Sequence, residues 1–170
     1  SNKPSQIRIE SITLGKVIDY DQYDVTVITN STRNNEINNN LKAINPNARV
    51  MFRFGVNILT KKERAIDKHF MTNGVSKDER EKYPSLGYRR EMNRIVANLK
   101  FDVAIDFSAY SYFWGRHILA TDSKKYVAFM HNDLMADSMR EVNGETPMKT
   151  DLHSLFSIYY QFDKLLSVSP

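Results

Sequence analysis

The chain has 170 residues, 41% hydrophobic and 26% charged, which is enough for one globular domain with a real core and excludes a disordered tail. A net charge of +4 without any long basic block gives no footprint for nucleic-acid binding. Zero cysteines exclude disulfides, thiol chemistry and cysteine zinc sites and fit a reducing compartment. No apolar run nears the roughly 20 residues of a spanning helix, so the sequence predicts a soluble, cytoplasmic domain.

In chain order, the opening "RIESITLGKVIDY" has helical spacing, and "DVTVITN" (24–30) is the first run of strand character. "RNNEINNNLKAI" reads as helix and "ARVMFRF" (48–54) as the second strand. Residues 55–84, with "TKKER", His69 and "NGVSKDEREKYP", form a charged insertion with at best short helices; Ser76 followed by Glu79 resembles a capping box there. From about Ser85, Tyr88, Met92, Ile95, Val96 and Leu99 share one helix face. "DVAIDFS" (102–108), "KYVAFMH" (125–131) and "DKLLSVS" (163–169) are three more strands. "SYFWGRHILA" and "TDLHSLFSIYYQF" are the helices between them. This alternation predicts a single α/β domain over 1–170, Rossmann-like and doubly wound, with a mainly parallel sheet and helices on both faces.

In such sheets ligands sit outside the carboxyl ends of the strands. His131 stands at one such end, where an imidazole can donate a hydrogen bond to a ligand or move a proton, or can simply be packed or solvated. Asn132 and Asp133 follow it as candidate ligand contacts, and Asp133 is equally a helix cap for "LMADSMREV". The preceding strand delivers Ser108, Tyr110 and Ser111, whose hydroxyls suit a sugar or phosphate; Ser111 is also a candidate cap. Phe113 and Trp114 offer a stacking face, or helix-on-sheet core. Ser167 and Ser169 close the last strand in the same manner. Nucleotide-loop, zincin and serine-hydrolase motifs are absent. The four histidines lack metal-ligand spacing, so no metal and no cofactor is expected. Asp102 and Asp106 do not make a glycosidase pair.

The succession "FDVAIDFSAYSYFW", "KKYVAFMHNDL" and "FDKLLSVS" resembles the end of the N-terminal domain of GT-B glycosyltransferases of the family 4 type, bacterial cell-wall and polysaccharide enzymes. Residues 20–54 match loosely and 85–170 more closely. The resemblance implies the acceptor-side half of an enzyme that moves a sugar from a nucleotide-sugar donor to a cell-envelope, glycan or teichoic acid-like acceptor. It implies that His131 faces the donor sugar and that a C-terminal nucleotide-binding domain follows "SVSP". The full-length enzyme would work in the cytoplasm, at the inner face of the membrane through peripheral association. The chain departs from the family in opening on a helix with only Gly15 nearby, where the family has a strand and a glycine-rich loop. Two alternatives stand beside this reading: a teichoic acid glycerophosphotransferase of the same GT-B plan, and a non-catalytic domain binding an anionic polymer through Arg49, Arg53, Lys61, Lys62 and Arg64.

Overall fold

The computed structural model describes residues 5–9, 18–31, 41–42, 44–54, 59–74 and 86–167. Its strands are β1 (Ser5–Ile9), β2 (Tyr23–Asn30), β3 (Arg49–Arg53), β4 (Lys100–Asp106), β5 (Asp122–Met130) and β6 (Lys164–Ser167). They form one sheet in the order β3-β2-β1-β4-β5-β6, and every pair is parallel. Parallel neighbours need long crossovers, which the sequence supplies as helices: α1 (Lys61–Asn73), α2 (Leu86–Val96), α3 (Tyr112–Leu119), α4 (Leu134–Met139) and α5 (Lys149–Phe156). A short 3-10 turn, Tyr159–Gln161, leads into β6.

Register explains the layering. Arg8 pairs with both Thr26 and Ala104, and Ala104 with Tyr126, so the even-numbered residues of β2, β4 and β5 share one face. Ile28 on that face packs with Tyr88, Met92 and Val96 of α2. Ala104 and Ala128 on the same face pack with Ile118 of α3. Val25 and Val27 point the other way, against Ile18, Tyr20, Ile44 and Ala48, which belong to the connections on either side of β2. The predicted apolar stripe of α2 is therefore its buried face, and each of those side chains contributes about 1.5–3 kcal/mol by leaving water.

A second core joins Phe70 of α1, Tyr112 of α3, Leu134 of α4, and Leu152 and Leu155 of α5. Gly115 permits that packing, because a Cβ there would lie 2.9 Å from Leu155 Cδ1 and 3.2 Å from Ile158 Cδ1. Any larger residue at 115 forces the Leu155 and Ile158 side chains to move.

Three expectations are corrected. The chain does not open on a helix at Arg8: β1 takes Ser5–Ile9 into the centre of the sheet, between β2 and β4. Residues 10–17 and 32–40 lie outside the described residues, as does the suggested capping box at Ser76 and Glu79. The insertion carries a 13-residue helix, α1, with its own capping box: Glu63 N–H donates to Thr60 Oγ1 at 3.2 Å, and Thr60 N–H to Glu63 Oε2 at 2.7 Å. Finally, β4 stops at Asp106, so Ser108 belongs to the loop that follows it.

The α1 start is tied to α2 by a two-pronged ion pair, with Arg90 Nη1 and Nη2 each 3.0 Å from a Glu63 oxygen. The Arg90 hydrogen bonds, followed by the Thr60 N–H, hold the Glu63 carboxyl down to about 2. A depressed carboxyl stabilises the fold above its unfolded value, near about 4.3, and that contribution is lost as pH falls toward about 2. Melting curves of the wild type and Glu63→Gln should accordingly differ at neutral pH and converge between those two values. Curves that stay parallel across the window would show that the pair contributes nothing.

Candidate functional site at the carboxyl ends of the strands

The strand order reverses between β1 and β4, which both run out on the same edge. The crevice outside that edge is where open α/β sheets hold ligands. On the β4 side the chain turns at a carboxylate that the sequence did not nominate. Asp106 is completely buried and its Oδ1 accepts three hydrogen bonds: from Ala109 N–H at 2.8 Å, Ser108 N–H at 3.2 Å and Ser108 Oγ at 3.2 Å. The turn places Ala109 at φ 42°, a left-handed conformation that costs a residue with a Cβ and persists because its surroundings hold it. Tyr159 helps, donating to the Ala109 carbonyl at 3.1 Å. Ser108 is thus positioned by Asp106, with its hydroxyl proton committed and its oxygen lone pairs still able to accept.

On the β5 side His131 and Asn132 are exposed, directly beyond Met130. Asp133 takes the N-cap of α4, accepting from Ala136 N–H at 3.0 Å, so the capping alternative describes it. The two loops meet. The His131 ring lies 4.5 Å from Phe107 and stacks 6.5 Å from Phe129, while Phe107 and Phe129 are 5.4 Å apart. Two half-buried phenyl rings and the exposed imidazole from adjacent strand ends therefore make a ledge, with Ser108 and Asn132 as its polar neighbours in the chain. Tyr110 fastens the loops a second time. Its hydroxyl donates at 2.9 Å to Asp137, a buried carboxylate of α4 that also pairs with Arg140. Burial first, and that bond second, raise the Tyr110 pKa, so the phenol stays a neutral donor.

The other nominated residues fall elsewhere. Ser111 occupies the N-cap position of α3, but its side chain makes no capping bond; the first helical N–H, that of Tyr112, goes to Asp151 Oδ2 at 3.3 Å. Trp114 does not join the ledge. It packs beside Phe113 and His117 at 5.6 and 5.4 Å, in the core built on α2 and Ile28, which is the packing alternative. Phe113 carries the Arg53 guanidinium at 4.7 Å from its centroid, and Arg53 also pairs with Glu91 at 3.3 Å. Ser169 lies outside the described residues; Ser167 ends β6 beside Met130 of β5.

The rings that sequence reasoning missed are Phe107 and Phe129. The signal for them was available, since β4 pairs Ile105 with Val127, and carrying that register just past the strand ends sets Phe107 beside Phe129, with His131 next on the same side. A cavity of about 290 Å³, lined by Arg89, Asn93, Thr121 and Tyr126 among others, opens at the opposite edge of the sheet, where β5 begins. Among the described residues no group of three His, Asp or Glu could hold a metal ion, and no helix is long and apolar enough to cross a membrane. No family model matches the chain, and no curated protein matches it.

Proposed function

We propose that this domain is the acceptor-side half of a GT-B glycosyltransferase that moves a sugar from a nucleotide-sugar donor to a cell-envelope or polysaccharide acceptor in the cytoplasm. The observation that carries the reading is the meeting of the Phe107, Phe129 and His131 rings at the carboxyl edge of an all-parallel sheet, with Ser108 and Asn132 next to them in the chain and Tyr110 tying the β4 and β5 loops through Asp137. The described helices α2 and α3 share one face. A doubly wound sheet would cover the other face too, where Ile18, Tyr20, Ile44 and Ala48 pack against Val25 and Val27.

The chemistry follows from the side chains. A pyranose ring lays its apolar C–H face on the aromatic ledge, while its hydroxyls meet the Asn132 amide and the Ser108 oxygen. His131, at the open end of the ledge, donates a hydrogen bond to the donor sugar or its phosphate. The rate gain comes from positioning and from donors aimed at the departing nucleotide diphosphate. A second, nucleotide-binding domain supplies the opposite wall of the cleft.

The glycerophosphotransferase reading shares this geometry and is separated by which donor the complete enzyme consumes. The anionic-polymer reading is weakened, because Arg53 is committed to Glu91 and Phe113, and Arg64 donates to the Leu59 carbonyl at 3.2 Å.

The test compares this 170-residue chain with a longer one carrying the downstream half. The short chain should fold, bind an oligosaccharide acceptor weakly by ligand-observed NMR, and show little or no binding of nucleotide sugars by calorimetry. The longer chain should bind the donor and release nucleotide diphosphate when acceptor is added. Sugar transfer by the short chain, or donor binding as tight as that of the long one, would overturn the half-enzyme reading.

A further inference from the structure

Asn-Gly occurs twice in the chain, at Asn73-Gly74 and Asn143-Gly144. A glycine has no side chain to shield its own nitrogen, which can attack the amide carbon of the preceding asparagine and close a five-membered ring. The fold treats the two copies in opposite ways.

Asn73 ends α1, and both reacting groups there are held. Its Nδ2 donates to the His69 carbonyl at 3.2 Å and lies 3.1 Å from His69 Nδ1. The Gly74 N–H donates to the Phe70 carbonyl at 2.8 Å, and a Cβ on Gly74 would lie 3.2 Å from Ser157 Cβ, so this backbone is also packed. Freeing it unwinds the last turn of α1, which carries the buried Phe70.

Asn143 and Gly144 lie between α4 and α5, where φ values of 55° and 81° make the two-residue turn that Asn-Gly favours. Val142 and Glu145 close it with one antiparallel bridge, the Val142 N–H donating to the Glu145 carbonyl at 2.7 Å and the Glu145 N–H to the Val142 carbonyl at 3.1 Å. All four residues are exposed, and a Cβ on Gly144 would meet no atom within 4 Å. Among the described residues neither the Gly144 N–H nor the Asn143 amide has a hydrogen-bond partner. Ring closure requires Asn143 to leave its left-handed well, and a hairpin held by a single bridge opens at little cost.

We propose that Asn143 is a site of spontaneous deamidation and isomerisation, which the fold selects over Asn73. Base removes the Gly144 N–H proton, the nitrogen bonds to Asn143 Cγ, and the Cγ–Nδ2 bond breaks to release ammonia. Water adding to the cyclic imide at Cγ gives aspartate; water adding at the backbone carbonyl carbon gives isoaspartate, with the chain rerouted through Cβ. One water is consumed, one ammonia leaves, and nothing is oxidised or reduced. Either product sets a new carboxylate between the exposed Glu141 and Glu145 in the chain, and isoaspartate lengthens a turn built for two residues, so the Val142–Glu145 bridge is lost. The modification does not depend on the sugar-transfer reading.

The experiment incubates the folded chain for days in buffers from mildly acidic to mildly alkaline. Mass spectrometry then follows the tryptic peptides 141–149 and 69–77, with a zero-time sample subtracted. Asn143 should convert at least about tenfold faster than Asn73, whose reacting groups must first give up their bonds to His69 and Phe70. The rate should rise with pH, and isoaspartate, recognised by its resistance to a protease that cuts before aspartate, should be the main product. In urea the two rates should converge, because the fold no longer separates them. Equal rates in the folded chain, a difference that persists in urea, or a 141–149 peptide that stays unconverted would each overturn the proposal.

Discussion

Replacing Asp106 by alanine should lower the unfolding free energy by about 3 kcal/mol and disorder the β4–α3 loop. Its Oδ1 is the acceptor for two backbone N–H groups, those of Ser108 and Ala109, and Ala109 is completely buried. Each donor left without an acceptor costs about 1–3 kcal/mol, and the left-handed backbone at Ala109 adds strain that the Tyr159 hydroxyl alone then opposes through the Ala109 carbonyl. For a chain of this size the loss corresponds to a fall in melting temperature of about 6–12 °C. Asp106→Asn separates the causes. An amide oxygen still accepts both N–H groups, so most of the stability should return if the loop is held by hydrogen bonding, and little should return if the charge matters most. Thermal melts of the three proteins, with amide exchange at Ala109, measure both effects. An Asp106→Ala variant as stable as wild type would mean that the loop holds itself.

Legibility in the sequence followed burial. β2, β3 and β5 are runs of β-branched and aromatic residues bounded by polar ones, and they lie where that pattern puts them. The stripe from Tyr88 to Val96 gave α2 for the same reason. β1 was hidden because "SQIRI" alternates Ile7 and Ile9 with Gln6 and Arg8, then runs without a turn residue into "ESITL", so its apolar positions merge into a helical spacing. Only tertiary pairing with β2 and β4 makes it a strand. α1 was legible but misread: Thr60-Lys-Lys-Glu63 is a capping box, and Ile66 and Phe70 follow at helical spacing, but the charge of the segment outweighed both.

The site divides along a similar line. The position of His131, Asn132 and Ser108 beyond strand ends is a topological fact that parallel strands make readable. The anchoring is not readable, because it depends on which partner a polar group finds in space. Asp106 closes its own loop two and three residues on, and Tyr110 reaches Asp137, 27 residues away. Phe113 and Trp114 carried the stacking expectation but pack in the core on α2, and the rings that gather beside His131 are Phe107 and Phe129.

On the proposed glycosyltransferase reading, His131→Ala in the longer protein should reduce turnover by about 10²-fold or more, the usual loss when a well-placed polar group is removed from a closed active site. The fold should hardly notice. His131 is exposed, and its contacts are with the Phe107 and Phe129 rings, so stability should change by no more than about 0.5 kcal/mol. That contrast with Asp106 separates a residue that acts on the ligand from one that holds the loop. His131→Phe then divides the roles of the ring. A phenyl group keeps the ledge continuous with Phe107 but has no nitrogen, so turnover as low as in the alanine variant assigns the effect to hydrogen bonding or proton transfer. Turnover restored by phenylalanine would instead assign it to stacking, and the acceptor KM rather than kcat should then be the parameter that alanine damages. Unchanged kinetics in both variants at saturating donor would remove His131 from the site and leave it a solvated ring at the end of β5.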